Sequence, residues 1–150
     1  MATGGPDSLA SLQLLLAACR DGREGYRAAA RTVRSVELKR VLARLSDERG
    51  ENIRELEQEI EKLGAHGVTH GTLAGTLHRA WIGLSSVLRG GSDAVLLKEV
   101  DRGETSTLLH YEEELARDAN EAVRPLLEKQ MMRVDAARTD VRRWAERVSA

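Results

Sequence analysis

One acid in this chain stands where charge is costly. In the stretch VLLKEVDRGETSTLLHYEEEL, residues 95–115, a helical period of about 100° per residue puts Leu96, Val100, Thr107, Leu108, Tyr111 and Leu115 on one apolar face. Glu104 falls at the centre of that face, directly after Gly103. A carboxylate at such a position is predicted to be buried, and a buried carboxylate needs a cation, a metal ion or a proton. Which of the three meets Glu104 is the chemical question the sequence poses.

The elements that could supply the partner are legible from hydrophobic period. A first helix is expected over residues 8–33, N-capped by Asp7 or Ser8, with the stripe Leu12, Leu15, Cys19, Gly22, Tyr26, Ala29 and Val33. Gly22 and Gly25 each cost about 1 kcal/mol inside a helix relative to Ala, which makes sense if another backbone packs closely there. Ser35 is expected to cap a second helix over 36–63, ended by Gly64. Its stripe runs Leu38, Leu42, Leu45, Arg49, Asn52, Ile53, Leu56, Ile60 and Leu63, and its middle is polar. A shorter helix over 72–89 carries Leu73, Leu77, Trp81, Leu84 and Leu88 on one face. After Gly90-Gly91, Ser92 or Asp93 caps a third long helix reaching about 119. A fourth follows over 121–149, with Pro125 in its first turn and the stripe Val123, Leu127, Gln130, Val134, Ala137, Val141, Trp144 and Val148.

Four long amphipathic helices predict an all-α four-helix bundle. Turns near 34 and 120 make two antiparallel hairpins. The connection between them, residues 64–90, is long enough to run the length of the bundle and holds its own short fifth helix, which implies the one-crossover arrangement of ferritin-like folds. Residues 1–8 read as a flexible tail and 9–149 as a single domain.

In that topology Arg23, Arg49 and Arg138 lie near the depth of Glu104, with Asn52 one turn from Arg49. The layer is therefore expected to hold Glu104, Arg23, Arg49, Asn52 and Arg138, with a guanidinium from Arg23 or Arg49 binding the carboxylate. The alternative is a carboxylate-bridged di-iron or di-manganese site. Its candidate ligands are Glu104, Glu48, Glu24 and, from the crossover, His78. Glu24, Glu51 and Asp135 point away from their own stripes and no Glu-x-x-His falls on a long helix at this level, so these acids read as a solvated face. His66 and His70 sit in the loop and read as solvated. His78 sits on the flank of the crossover face, where it can hydrogen-bond Asp101, and Arg79 points outward.

Composition narrows the partners. Twenty-three basic and 24 acidic residues give a net charge of −1, with the two signs interleaved along the helices. No basic face dominates and there is no Phe, so neither a nucleic-acid nor a membrane surface is expected as partner. Exposed helix faces leave room for a homo-oligomer. The single Cys19 reads as a small buried thiol and permits no disulfide within the chain, which suits a reducing cytoplasm. No apolar run approaches the roughly 20 residues of a membrane span.

The strings DGREGYRAAA (residues 21–30), LHRAW (77–81), KEVDRGET (98–105) and VRPLLEKQ (123–130) resemble a bacterial ferritin-like family known only as a domain of unknown function (number 2383). The resemblance covers residues 9–145. It implies the four-helix fold with a crossover helix, supplies no activity, and suggests a stress-related role. Relatives often carry Glu where this chain has Asp101 and a His near Arg138, and both departures weaken a metal site. Neither a nucleophilic triad nor a phosphate-binding glycine loop is visible. The expectation is a bundle that is not an enzyme and needs no cofactor, its polar layer fixing helix register.

Overall fold

A computed structural model describes residues 6–65, 81, 84 and 87–149 of the chain. Four long helices make up the fold: α1 (Pro6–Thr32), α2 (Val36–Lys62), α3 (Asp93–Leu115) and α4 (Arg124–Ser149). A 3-10 helix, Asp118–Val123, joins α3 to α4. No strand occurs among the described residues, and none of their helices is long and apolar enough to cross a membrane.

The helix ends follow from local chemistry. Ser35 Oγ accepts from the Leu38 N–H at 3.2 Å, and Ser92 Oγ accepts from the Val95 N–H at 3.3 Å, so both are side-chain N-caps. Gly64 takes the left-handed conformation (φ 79°) that closes α2. Its N–H and that of Ala65 then donate to the carbonyls of Glu61 and Ile60, at 2.9 and 3.2 Å. Two boundaries differ from expectation at the second hairpin. α3 ends at Leu115 rather than near 119, and α4 starts at Arg124 rather than 121. The reason is a side-chain clamp: Asn120 Nδ2 donates to the Glu114 carbonyl and Arg124 Nη2 to the Leu115 carbonyl, both at 2.7 Å. These take up the last carbonyls of α3, and the next residues tighten into the 3-10 turn. α1 also starts earlier than Ser8, at Pro6, a residue preset for a first helical turn.

Within each hairpin the helices pack closely, α1 on α2 and α3 on α4. The hairpins meet along two seams, α1 with α3 and, more sparingly, α2 with α4. Asp93 at the start of α3 accepts from the Arg34 N–H at 3.0 Å, which fixes that start beside the α1–α2 turn. α2 ends at the opposite end of the bundle from this start of α3. Most of the short helix expected over 72–89, including Leu73 and Leu77, lies outside the described residues. Trp81 and Leu84 are described, and both are buried.

Among the described residues the apolar core is mostly in two large clusters, with a small third one at Ala17 and Ala18. Tyr26, Ala29, Val33, Leu38, Leu42, Leu45, Trp81, Leu84, Leu96, Leu97, Val100, Ala137 and Val141 form one cluster. The second contains Leu12, Leu15, Leu16, Cys19, Ile53, Leu56, Ile60, Tyr111, Leu115, Val123, Leu127 and Val134. Between them lies a polar waist.

The glycines of α1 meet a ring, not a backbone. A Cβ on Gly25 would stand 2.4 Å from the Trp81 ring, and one on Gly103 of α3 would stand 2.5 Å from it. One on Gly22 would meet Arg49 Nη1 at 2.5 Å, with Trp81 at 3.6 Å. The three bare positions form a notch across the α1/α3 seam, filled by an indole.

Candidate functional site

The waist is built around Glu104. Its side chain is fully buried, and Arg49, 3% exposed, donates through Nη2 to Oε2 at 2.5 Å. The pair crosses the bundle diagonal from α2 to α3. Burial disfavours the charge on Arg49, and the Glu104 carboxylate more than reverses this, so the guanidinium holds its proton more tightly than usual. The Arg49 guanidinium carbon also lies 5.7 Å from the centroid of the Tyr26 ring, within cation–π range. Tyr26 and Trp81 stack at 5.8 Å with their planes tilted by 58°. Burial, then the nearby Glu104 charge, pushes the Tyr26 phenol well above its ordinary pKa. Among the described residues, Arg49 Nη1, Glu104 Oε1 and the Tyr26 hydroxyl are buried without a well-formed hydrogen bond.

A second set of polar groups continues from the waist towards the α2/α4 seam. The Cys19 thiol lies 3.2 Å from the Tyr111 hydroxyl, which donates to Gln130 Oε1 at 2.7 Å. Gln130 Nε2 donates to the Asn52 carbonyl at 3.2 Å and to Glu55 Oε1 at 3.1 Å. Arg133 Nη1 bonds Asn52 Oδ1 at 2.8 Å and Glu55 Oε1 at 2.7 Å, and Lys129 Nζ bonds Glu55 Oε2 at 2.7 Å. Partial burial alone would raise the Glu55 carboxyl pKa, but Lys129, Arg133 and Gln130 hold it below its ordinary value. Burial raises both the Cys19 thiol and the Tyr111 phenol. Neither is poised to act as a nucleophile near neutral pH.

Of the residues singled out from sequence, Glu104, Arg49 and Asn52 are buried in the waist. Arg23 is not brought to Glu104; its Nε lies 4.0 Å from Glu24, and its backbone carbonyl accepts from Ser46 Oγ at 3.1 Å. Arg138 stays half-buried on its flank of α4. Glu48 is paired with Arg44 at 2.7 Å and Glu24 with Arg27 at 3.1 Å, both at the surface and away from Glu104. Asp101 is bonded by Arg142 at 2.9 Å. His66, His70, His78 and Arg79 lie outside the described residues. Among the described residues, no three His, Cys, Asp or Glu side chains gather as they would to hold a metal ion.

Sequence reasoning missed a second buried carboxylate. Glu114, 5% exposed at its side chain, accepts from Ser11 Oγ at 2.6 Å and pairs with Arg117 at 2.9 Å. Asn120 Nδ2 donates to the same Ser11 Oγ at 3.0 Å. Glu114 sits at the edge of its helix's apolar stripe within a run of three glutamates, so periodicity alone does not single it out. The link from Gln130 was signalled, as a polar residue in the stripe of α4.

Residues 7–117 match the family described as Domain of unknown function (DUF2383). The chain belongs to that family. The match takes in α1, α2 and α3, and with them both members of the Arg49–Glu104 pair; α4 lies beyond it. Neither a curated protein nor a solved structure matches the chain significantly. Membership in DUF2383 assigns no activity, so function has to be argued from the waist itself.

Proposed function

We propose that this DUF2383 chain is a ferritin-like bundle, one domain over residues 9–149, that works as a structural or interaction module rather than as an enzyme. A cytoplasmic, stress-related setting and self-association through exposed helix faces belong to the same reading. The observation that carries it is the Arg49–Glu104 pair: the carboxylate that in a metalloenzyme would face a cation is neutralised by a guanidinium at 2.5 Å. A divalent ion at Glu104 would meet the positive charge of Arg49. Glu24 and Glu48, the other acids considered for such a site, are engaged by surface arginines. In place of catalysis the pair supplies register. α2 and α3 can bury their charges only when Arg49 and Glu104 are level, so a slip by one turn leaves two unpaired buried ions.

The test is a double-mutant cycle. Glu104→Leu and Arg49→Leu should each cost about 3–5 kcal/mol by stranding the other charge, while the double replacement comes close to neutral. Arg23→Leu combined with Glu104→Leu should be additive. Additive losses for the Arg49 pair would overturn the reading. So would iron or manganese approaching two equivalents per chain in untagged, metal-supplemented protein. That result would restore the di-metal oxidoreductase alternative.

A further inference from the structure

The faces of α3 and α4 opposite their buried stripes carry charge that is sorted by position. Towards the start of α3 lie Lys98, Arg102 and, from α4, Arg143. Towards the α3–α4 turn lie Glu112, Glu113 and, from α4, Glu128. All six are exposed, and Glu146 on the basic half is the exception to the sorting. Levels on the two helices are fixed where Arg142 bonds Asp101 at 2.9 Å and Tyr111 bonds Gln130 at 2.7 Å. They set Arg143 beside residues 98–102 and Glu128 beside Glu113. Between the halves, and level with each other, Leu109 and Met132 are 52% and 70% exposed. Pairing of these charges within the chain is loose. Arg102 lies 3.5 Å from Glu99, Glu128 3.4 Å from Arg124 and Glu113 3.9 Å from His110, each one turn apart on the same helix. Such pairs are worth little at a surface.

We infer that this face joins two copies of the chain in an antiparallel dimer. In a parallel arrangement the basic half would meet a basic half. The face complements itself when a two-fold axis runs across the helices in the plane of contact, which lays α3 on α3 and α4 on α4 of the second copy in opposite directions. The two helices locate that axis independently. Setting Arg102 against Glu112 of the second copy puts it at residue 107 of α3. Setting Arg143 against Glu128 of the second copy puts it between residues 135 and 136 of α4, which is the same level of the hairpin. Leu109 and Met132 lie within about a turn of it, so apolar side chains fall at the centre with charges around them, as in interfaces generally. The area is adequate: two adjacent helices about 35 Å long and together about 20 Å wide offer roughly 700 Å² per copy, close to the ~800 Å² of a standard interface. The axis also brings the two exposed Asp135 carboxylates towards each other, a repulsive feature at its centre. The inference rests on the self-association included in the proposed function and gives it a face and a symmetry.

Sedimentation velocity of the full chain over a concentration series should show a dimer that weakens with added salt. Arg102→Glu with Arg143→Glu makes the charged face acidic throughout, and Glu112→Lys, Glu113→Lys and Glu128→Lys together make it basic throughout. Each variant alone should keep native helix content and lose at least about tenfold in dimer affinity, and mixing the two should restore a heterodimer. Asp135→Asn should tighten the dimer of the otherwise unchanged chain; a weaker dimer would put the axis elsewhere and overturn the arrangement. If a charge reversal lowers helix content, Leu109→Ser with Met132→Ser decides, and an undiminished dimer in that variant would overturn the inference. Unsubstituted protein that stays monomeric up to about 1 mM would overturn both the inference and the self-association it rests on. An oligomer unmoved by the reversals, or reversed variants that fail to recombine, would overturn this face alone. The Arg49–Glu104 stability cycle is independent of either result.

Discussion

The two hairpins are joined along two seams that close by opposite means. On the α1/α3 side, apart from the Ser11–Glu114 hydrogen bond near one end, the joint is mainly shape: an indole fits against three positions that have no side chain. On the α2/α4 side it is charge. There Arg44 reaches Asp140 at 3.2 Å, while Lys129 and Arg133 hold Glu55, each at 2.7 Å. A shape joint is indifferent to salt and intolerant of a methyl group. A charge joint behaves the other way round, tolerating conservative change but answering to ionic strength and pH. The diagonal Arg49–Glu104 pair stands between them and shares a property with each, being charged like one and dry like the other.

The contrast can be broken experimentally, starting where the effect should be largest. Trp81→Ala should lower stability by about 3–5 kcal/mol, as for other large buried aromatics, read as a shift in the urea midpoint at constant slope. A loss below about 0.5 kcal/mol, the size expected of a surface change, would mean that the α1/α3 seam does not depend on the ring. Next come Gly25→Ala and Gly103→Ala. Helix propensity alone predicts a gain of about 1 kcal/mol for each, whereas the overlap with Trp81 predicts a loss of about 1–3 kcal/mol from overpacking. The sign decides between them. In a Trp81→Ala background both substitutions should revert to stabilising, which no argument from intrinsic propensity would produce.

On the charged seam the losses should be smaller. Glu55→Gln should cost about 1 kcal/mol and should do so mainly at low salt, because Lys129 and Arg133 are half-exposed and can turn to water. Equal losses in low and high salt would show that Glu55 acts through packing. The pH dependence separates the regions again. Glu55 titrates below its ordinary value, so its contribution is complete above the unfolded-state pKa and disappears as pH falls through the folded one. Glu55→Gln should remove that acid-side loss. At the alkaline edge Cys19, Tyr26 and Tyr111 are all held above their ordinary values of 9.0 and 10.0. Their stability is present below those values and declines as pH rises past them, because the unfolded chain ionises first. Tyr26→Phe should flatten that decline if the phenol is the group responsible.

Much of this was legible before any coordinates. The stripes of α2 and α4 placed Arg49, Asn52 and Gln130 inward, the caps at Ser35 and Gly64 followed from residue type with Ser92 one of two candidates for α3, and Glu104 was conspicuous on its apolar face. Gly22 and Gly25 announced a close approach. What helical phase could not settle was the identity of what approached. A period fixes direction around one helix but not the offset between two, so Arg23 and Arg49 were equivalent until the hairpin register was known. The same limit hid the notch, since nothing in the spacing of Gly22, Gly25 and Gly103 points to a tryptophan at 81. Glu114 was missed for a different reason. Its burial depends on Ser11 and Asn120, which lie far from it along the chain or beyond the end of its helix, so no window along α3 contains the cause. Arg133 and Glu55 drew no attention from helical phase, and only the narrow α2/α4 seam makes them a pair.

The waist also governs how the molecule can come apart. Each of the two apolar clusters takes side chains from all four helices, one towards the α1–α2 turn and the other towards the α3–α4 turn. Peeling one hairpin from the other would therefore open both clusters at once, and neither hairpin retains a core of its own. Fraying at one end opens a single cluster and stops at the charged layer, where going further means parting Arg49 from Glu104. The cheapest excursions of this protein should run inward from its ends, with amide exchange slowest not at the centre of either oily cluster but at the turns of α2 and α3 that carry the ions between them.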